Sequence, residues 1–170
     1  ITSMATANRV AEIAPLVETM VAATTVDGSG HGTASGRLLS AAPFNAALDA
    51  LLQGEALDQV RRVFTKLVCS GVAPNSITFT TLLVGLARLQ AWEDVLSYYE
   101  VMRRATSWNV APNAAMLNTA LRASIARGNW DMSLTVLEDM RAAPASEVSD
   151  DALLLAYNML LASCKTESRW

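Results

Sequence analysis

Apolar residues recur along this 170-residue chain at intervals of three and four positions, the pattern of helices with one buried face. One such stripe runs through Ala7–Ala22, and Pro15 inside it predicts that the helix begins near Ala14 or bends there. A stretch rich in Gly, Ser and Thr follows and predicts a flexible loop. We therefore expect an N-terminal helix over residues 1–23 and a loop over residues 24–40.

From Ala41 onward the apolar stripes come in pairs, separated by short breaks. Gly54 is placed to end the first helix of the first pair in a left-handed cap, and Gly71 ends the second helix. Asn129 can cap the start of a later helix. The predicted helices are Pro43–Leu52, Ala56–Leu67, Thr78–Leu89, Trp92–Arg104, Ala115–Arg127, Trp130–Arg141 and a last helix from Asp150 to about Lys165.

The pairs resemble one another. Pro74-Asn75 at a predicted helix start returns as Pro112-Asn113, while Trp92 returns as Trp130. A spacing of roughly 35 to 40 residues is typical of stacked helical repeats. The repeats cover residues 41–75, 76–113 and 114–149, with a partial one over residues 150–170. The stripe over Ala7–Ala22 is either a separate helix or the second helix of a degenerate repeat before them. The sequence therefore predicts an all-α solenoid of antiparallel helix pairs, in which Phe44, Phe79, Leu117 and Tyr157 occupy equivalent buried places.

The repeats resemble those of the pentatricopeptide repeat family over Ala41–Trp170, roughly three and a half repeats. The resemblance lies in an aromatic or Leu residue followed by a polar one at each repeat start, in Met near the end of the second helix, and in a closing Gly-x-x-Pro-Asn. The matching residues are Phe44-Asn45, Phe79-Thr80, Leu117-Asn118, Tyr157-Asn158, Met102, Met140 and Gly71-Val72-Ala73-Pro74-Asn75. A tetratricopeptide-like fold is the alternative, but that family places small residues where Leu48, Leu83 and Leu121 stand.

The resemblance implies single-stranded RNA binding in a mitochondrion or plastid, with about one base read per repeat. It pairs Asn45 with Asn75 as readers of a pyrimidine, and Thr80 with Asn113 as readers of adenine. In the third repeat it assigns only Asn118. It also implies that Ile77 sandwiches a base and that Arg88 meets the phosphate backbone.

The same polar residues have structural interpretations. Asn75 and Asn113 follow proline, where an Asn side chain commonly bonds the nearby backbone. Asn45 and Asn118 can equally form polar contacts within the layer of first helices.

Charge and residue content argue against RNA as the main ligand and against catalysis. The net charge of −3 and the pI of about 5.1 offer no general attraction to phosphate. The single histidine, His31, falls in the predicted loop, and the two cysteines, Cys69 and Cys164, lack metal-type spacing. The longest apolar run, Ala152–Cys164, is too short to span a bilayer. We expect no enzyme activity, no metal or other cofactor, no small-molecule substrate and no membrane span.

Two hypotheses follow. The favoured one is a protein-contact or scaffold subunit of a large organellar complex, such as a ribosome, respiratory or photosynthetic assembly. The alternative is a sequence-specific RNA-binding factor in organellar RNA processing, stability or translation, of which this chain would be a fragment.

The last predicted helix is the expected partner site. We expect Leu154, Tyr157, Leu160 and Leu161 to pack on the third repeat through Leu137 and its neighbours. The opposite face would stay exposed for a partner, unless Lys165–Trp170 folds back over it. The predicted partner-binding residues are Leu155, Met159, Ala162 and Trp170.

Overall fold

The computed structural model describes Pro15, Thr19, residues 41–144, Ser146 and residues 148–166, with the side chains described as far as Ser163. From Ala41 onward the described residues form seven α-helices, and no described residue lies in a strand, which confirms the all-α prediction. The helices are α1 Ala42–Gln53, α2 Leu57–Cys69, α3 Ser76–Arg88, α4 Trp92–Arg104, α5 Ala114–Ala126, α6 Trp130–Ala142 and α7 Asp150–Thr166. A 3₁₀ turn at Thr106–Trp108 lies between α4 and α5.

The predicted N-terminal helix and loop lie almost entirely outside the described residues. Pro15 and Thr19 are helical. His31 and Trp170 belong to the part of the chain that is not described.

The same left-handed turn follows α1, α3 and α5. Each turn has one residue in the left-handed conformation, at an equivalent place in successive pairs. It is Glu55 (φ 58°) after α1, Gln90 (φ 57°) after α3 and Gly128 (φ 64°) after α5. In each turn the next residue donates its backbone N–H to a carbonyl five residues earlier, the closure of a Schellman cap. Gly54 was predicted to supply the left-handed residue, but its φ is −86° and Glu55 supplies it instead. The predicted role of Gly54 is therefore wrong.

The chain divides into two compact units, residues 1–81 and 82–170. In the first unit α1 packs against α2. Their facing residues are almost fully buried: Phe44, Leu48, Leu51, Leu52, Val60, Val63 and Leu67. Phe79, at the start of α3, is completely buried, and its ring meets the ring of Phe64 edge to face, with centroids 5.9 Å apart. Edge-to-face pairing adds to the apolar burial that stabilises this unit.

In the second unit α5 packs against both α4 and α6, and α7 packs against α5 and α6. The core includes Tyr99, Met116, Leu117, Ala120, Leu121 and Val136. The hydroxyl of Ser133 donates to that of Ser124 at 2.8 Å, so this buried polar pair is satisfied within the core. Asn113 and Asn129 cap α5 and α6, accepting the backbone N–H of Met116 at 3.0 Å and of Met132 at 3.1 Å.

The packing face of α7 differs from the predicted one. Ala156 and Leu160 are buried, so Leu160 was placed correctly. Leu154, Tyr157 and Leu161 were predicted to pack inward and are exposed instead. The helix α7 therefore packs against α5 and α6 through the stripe that includes Ala156 and Leu160.

Candidate binding surfaces

A polar cluster joins α1 to the start of α3 in the first unit. The hydroxyl of Thr78 donates to Oδ1 of Asn45 at 2.7 Å. Nδ2 of Asn45 donates to Oδ1 of Asn75 at 3.4 Å. Asn75 and Thr78 also cap each other: the Thr78 backbone N–H meets Asn75 Oδ1 at 3.0 Å, and the Asn75 N–H meets Thr78 Oγ1 at 3.2 Å. Asn75 therefore caps α3, and a reciprocal arrangement of this kind satisfies two helix-start donors.

This cluster bears directly on the first predicted base-reading pair. Asn45 and Asn75 do lie together, as the resemblance implies. Asn45, however, is buried, and its amide is already bonded to Thr78 and Asn75. Reading a base with this side chain would require breaking contacts that close the helix start. A structural role explains the pair without any ligand.

The other residues assigned to RNA in the first unit differ in exposure. Ile77 is 63% exposed in the first turn of α3, which leaves its side chain accessible to a ligand. The hydroxyl of Thr80 donates to the carbonyl of Ser76 at 2.7 Å. Such a bond to the residue one turn earlier is ordinary for Thr within a helix.

In the second unit the assigned residues are Arg88, Asn113 and Asn118. Arg88 is exposed in the last turn of α3. Asn113 is occupied as the cap of α5, while Asn118 is exposed on that helix.

A charged cluster links α4 to α6 in the second unit. The hydroxyl of buried Tyr99 donates to Oδ2 of Asp139 at 2.6 Å, and Nε of Arg103 pairs with the same oxygen at 2.6 Å. Burial raises the pKa of Tyr99 well above its ordinary value, and the hydrogen bond to Asp139 raises it further. The hydroxyl therefore stays protonated at neutral pH, and the hydrogen bond that it donates links α4 to α6.

A cleft of about 530 Å³ lies beside this cluster, between the end of α4 and the loop before α5. Asp139 and Arg103 on its wall are bonded to each other, and Arg104 pairs with Glu100 at 2.8 Å. Because these charged side chains are already in ion pairs, they would gain little from contacts with a ligand in the cleft. Sequence reasoning missed this cluster because Tyr99 and Asp139 belong to different repeats and share no motif.

The most distinctive surface is the exposed side of α7. We define the terminal-helix face as Leu154, Leu155, Tyr157, Leu161 and Ala162. Leu155 and Ala162 are exposed as predicted, Met159 is half-buried, and Trp170 lies outside the described residues.

The repeat explains why this face is apolar. Tyr157 and Leu161 correspond to Leu117 and Leu121 in α5, which are completely buried in a helix that packs against α6. Their exposures in α7 are 39% and 52%. The described chain supplies no following helix to cover them.

The chain matches no known protein family, and no curated protein is found to be similar to it. Among the described residues, none of the helices combines the length and apolar character needed to cross a membrane.

Proposed function

We propose that this chain is a non-enzymatic, helical-repeat binding module of pentatricopeptide type that contacts other protein subunits in a large organellar complex. The terminal-helix face carries the proposal. Its large apolar residues have the spacing of an inner helix face, and they are exposed along one side of α7. Exposed Asn158 lies among them, and grouped apolar residues of this kind usually mark sites of protein contact.

The chemistry of the face suits a protein partner. Leu154, Leu155 and Leu161 offer apolar area, and Tyr157 adds an aromatic ring with a polar tip. Aromatic residues are enriched in the buried centre of protein interfaces, where charged residues are depleted. Between Asp151 and Lys165 no residue of α7 is charged.

Electrostatics disfavour single-stranded RNA as the principal ligand. Affinity for nucleic acid depends largely on neutralising phosphates with Lys and Arg. The chain carries 16 acidic residues against 13 basic ones. In addition, Arg103, Arg104 and Arg127 each pair with an acidic side chain. Exposed Ile77 and Arg88 are the features that an RNA reader would use.

The organellar setting and the absence of catalysis rest on the family resemblance and the residue content. A fluorescent fusion of the full-length natural protein tests the first, with co-localisation in mitochondria or plastids expected. Exclusive signal in another compartment would contradict it.

Affinity purification from the natural host tests the proposed contact. The wild-type chain should retain its partner proteins after ribonuclease treatment. Leu161→Glu should lose them, because a carboxylate within the covered face would have to be desolvated. Leu134→Glu is the matched control, since Leu134 is 55% exposed on α6 and lies outside the terminal-helix face. Loss of all partners on ribonuclease treatment, with Leu161→Glu behaving as wild type, would overturn the proposal in favour of RNA.

A further inference from the structure

Two arginines stand shortly before an exposed threonine at the end of α4. Arg103 and Arg104 occupy the last turn of the helix, and Thr106 opens the 3₁₀ turn that follows. Threonines within the helices, such as Thr80 and Thr135, donate their hydroxyls to the carbonyl one turn earlier. Thr106 is exposed, and its hydroxyl makes no hydrogen bond to any described residue. The hydroxyl is therefore accessible to an enzyme that modifies such groups.

The spacing of the charges suits this hydroxyl for phosphorylation. Protein kinases select their substrates partly by the pattern of charge around the acceptor. Arg103 and Arg104 lie three and two residues before Thr106, where each guanidinium can make a two-point contact with a carboxylate of a kinase's substrate groove. Ser107 has the same arginines one residue further away. The pattern therefore favours Thr106 as the acceptor.

The end of α4 can open for a kinase at small cost. The side chain of Arg104 is 81% exposed, and Ala105 has already left the helical conformation, with φ −86° and ψ 66°. The last turn of a helix contains carbonyl groups without partners in the helix. Such ends are among the parts of a protein that open with the smallest free energies. The two arginines can therefore be presented together with Thr106.

We propose that Thr106 is the phosphorylation site of an arginine-directed protein kinase. In this reaction Oγ1 of Thr106 forms a bond to the γ-phosphorus of ATP while the bond from that phosphorus to ADP breaks. The hydroxyl proton passes to a base of the kinase, and the products are phosphothreonine and ADP. The site uses no residue of the terminal-helix face, so the proposal goes beyond the proposed function and does not depend on it.

A phosphate on Thr106 would change the ion pairs beside it. Thr106 lines the same cleft as Arg103, Arg104 and Asp139. A phosphate carries a charge of about −1.5 to −2 and three acceptor oxygens, more than the carboxylate of Asp139. Because it would be attached only three residues from Arg103, its effective concentration at that guanidinium is high. The phosphate therefore takes Arg103 from Asp139, while Asp139 keeps the hydrogen bond from Tyr99.

Incubation with radiolabelled ATP, Mg²⁺ and a purified kinase tests the site, with a kinase whose substrates carry arginine three and two residues before the hydroxyl. Thr106→Ala should remove the label, and Ser107→Ala should keep it. Arg104→Gln should slow labelling by at least about tenfold, the effect of losing one hydrogen-bonded contact between charged groups. Arg122→Gln, which changes another exposed arginine, should be labelled like wild type. An unlabelled wild-type chain, or label that Thr106→Ala leaves unchanged, would overturn the proposal.

Nitrogen-15 NMR of the phosphorylated chain tests the change of ion pair. The Nε–H of Arg103 pairs with Asp139 at 2.6 Å in the unmodified chain, and its resonance should move on phosphorylation. The Nε–H resonance of Arg127, whose guanidinium pairs with Glu93, should stay in place and serves as the control. An Arg103 resonance that is the same before and after phosphorylation would show that the ion pair with Asp139 persists, and would overturn the predicted rearrangement.

Discussion

The most specific prediction about stability concerns the hydroxyl of Tyr99. Tyr99→Phe removes the donor to Asp139 and keeps the buried ring. A hydrogen bond to a charged group contributes about 1.5–3 kcal/mol. Asp139 is partly exposed and keeps its ion pair with Arg103, so the substitution does not leave a buried, unpaired carboxylate. We therefore expect a loss near the low end of that range, about 1.5 kcal/mol at neutral pH.

Urea denaturation followed by circular dichroism measures this loss, with Tyr157→Phe as the control because Tyr157 is partly exposed on the same unit. The pH dependence gives an independent check. The pKa of Tyr99 is raised on folding, so its contribution is fully present below the unfolded-state pKa of about 10 and is lost as pH rises above it. Wild type should lose up to about 1.4 kcal/mol per pH unit there relative to Tyr99→Phe. Equal stability of the two variants at pH 7, with parallel alkaline profiles, would refute the reasoning.

Three further substitutions probe the repeats. Gln90→Gly should stabilise the protein by about 1 kcal/mol in urea melts, because the φ of Gln90 is 57°, a conformation that is strained for a residue with a side chain. A loss of stability would contradict this turn geometry. Phe79→Ala should cost about 3–5 kcal/mol, since the ring is fully buried against Phe64, and a cost below about 1 kcal/mol would place the ring outside the core. Thr78→Val should cost about 1–3 kcal/mol by leaving Asn45 without its hydroxyl donor, whereas Thr80→Val, on the same helix, should cost less than about 1 kcal/mol.

The helices were predictable because their apolar period is unbroken and their ends carry recognisable signals. Trp92–Arg104 agrees at both ends with the structure, and Asn129 caps α6 as expected. Asn75 and Asn113 behave as their positions after proline suggest, each bonding the start of the next helix. These features depend on short stretches of chain, which is why they can be predicted from the sequence alone.

The remaining differences arise from packing and backbone strain. Glu55 adopts the left-handed conformation next to Gly54, because the position in the turn matters more than the residue that best tolerates it. Tyr157 follows the repeat pattern, yet it is exposed, because the pattern says which face is apolar and not whether a neighbour covers it. The link between Tyr99 and Asp139 spans two repeats, so no local signal predicts it.

Site-specific photocrosslinking in the natural host tests the central claim most directly. A photoreactive residue would replace Leu161 in one variant and Ile77 in another, both of which are exposed. If the chain is a protein-contact module, position 161 crosslinks to polypeptide and ribonuclease does not alter the product. Crosslinks to RNA from position 77, with none to protein from position 161, would contradict the account.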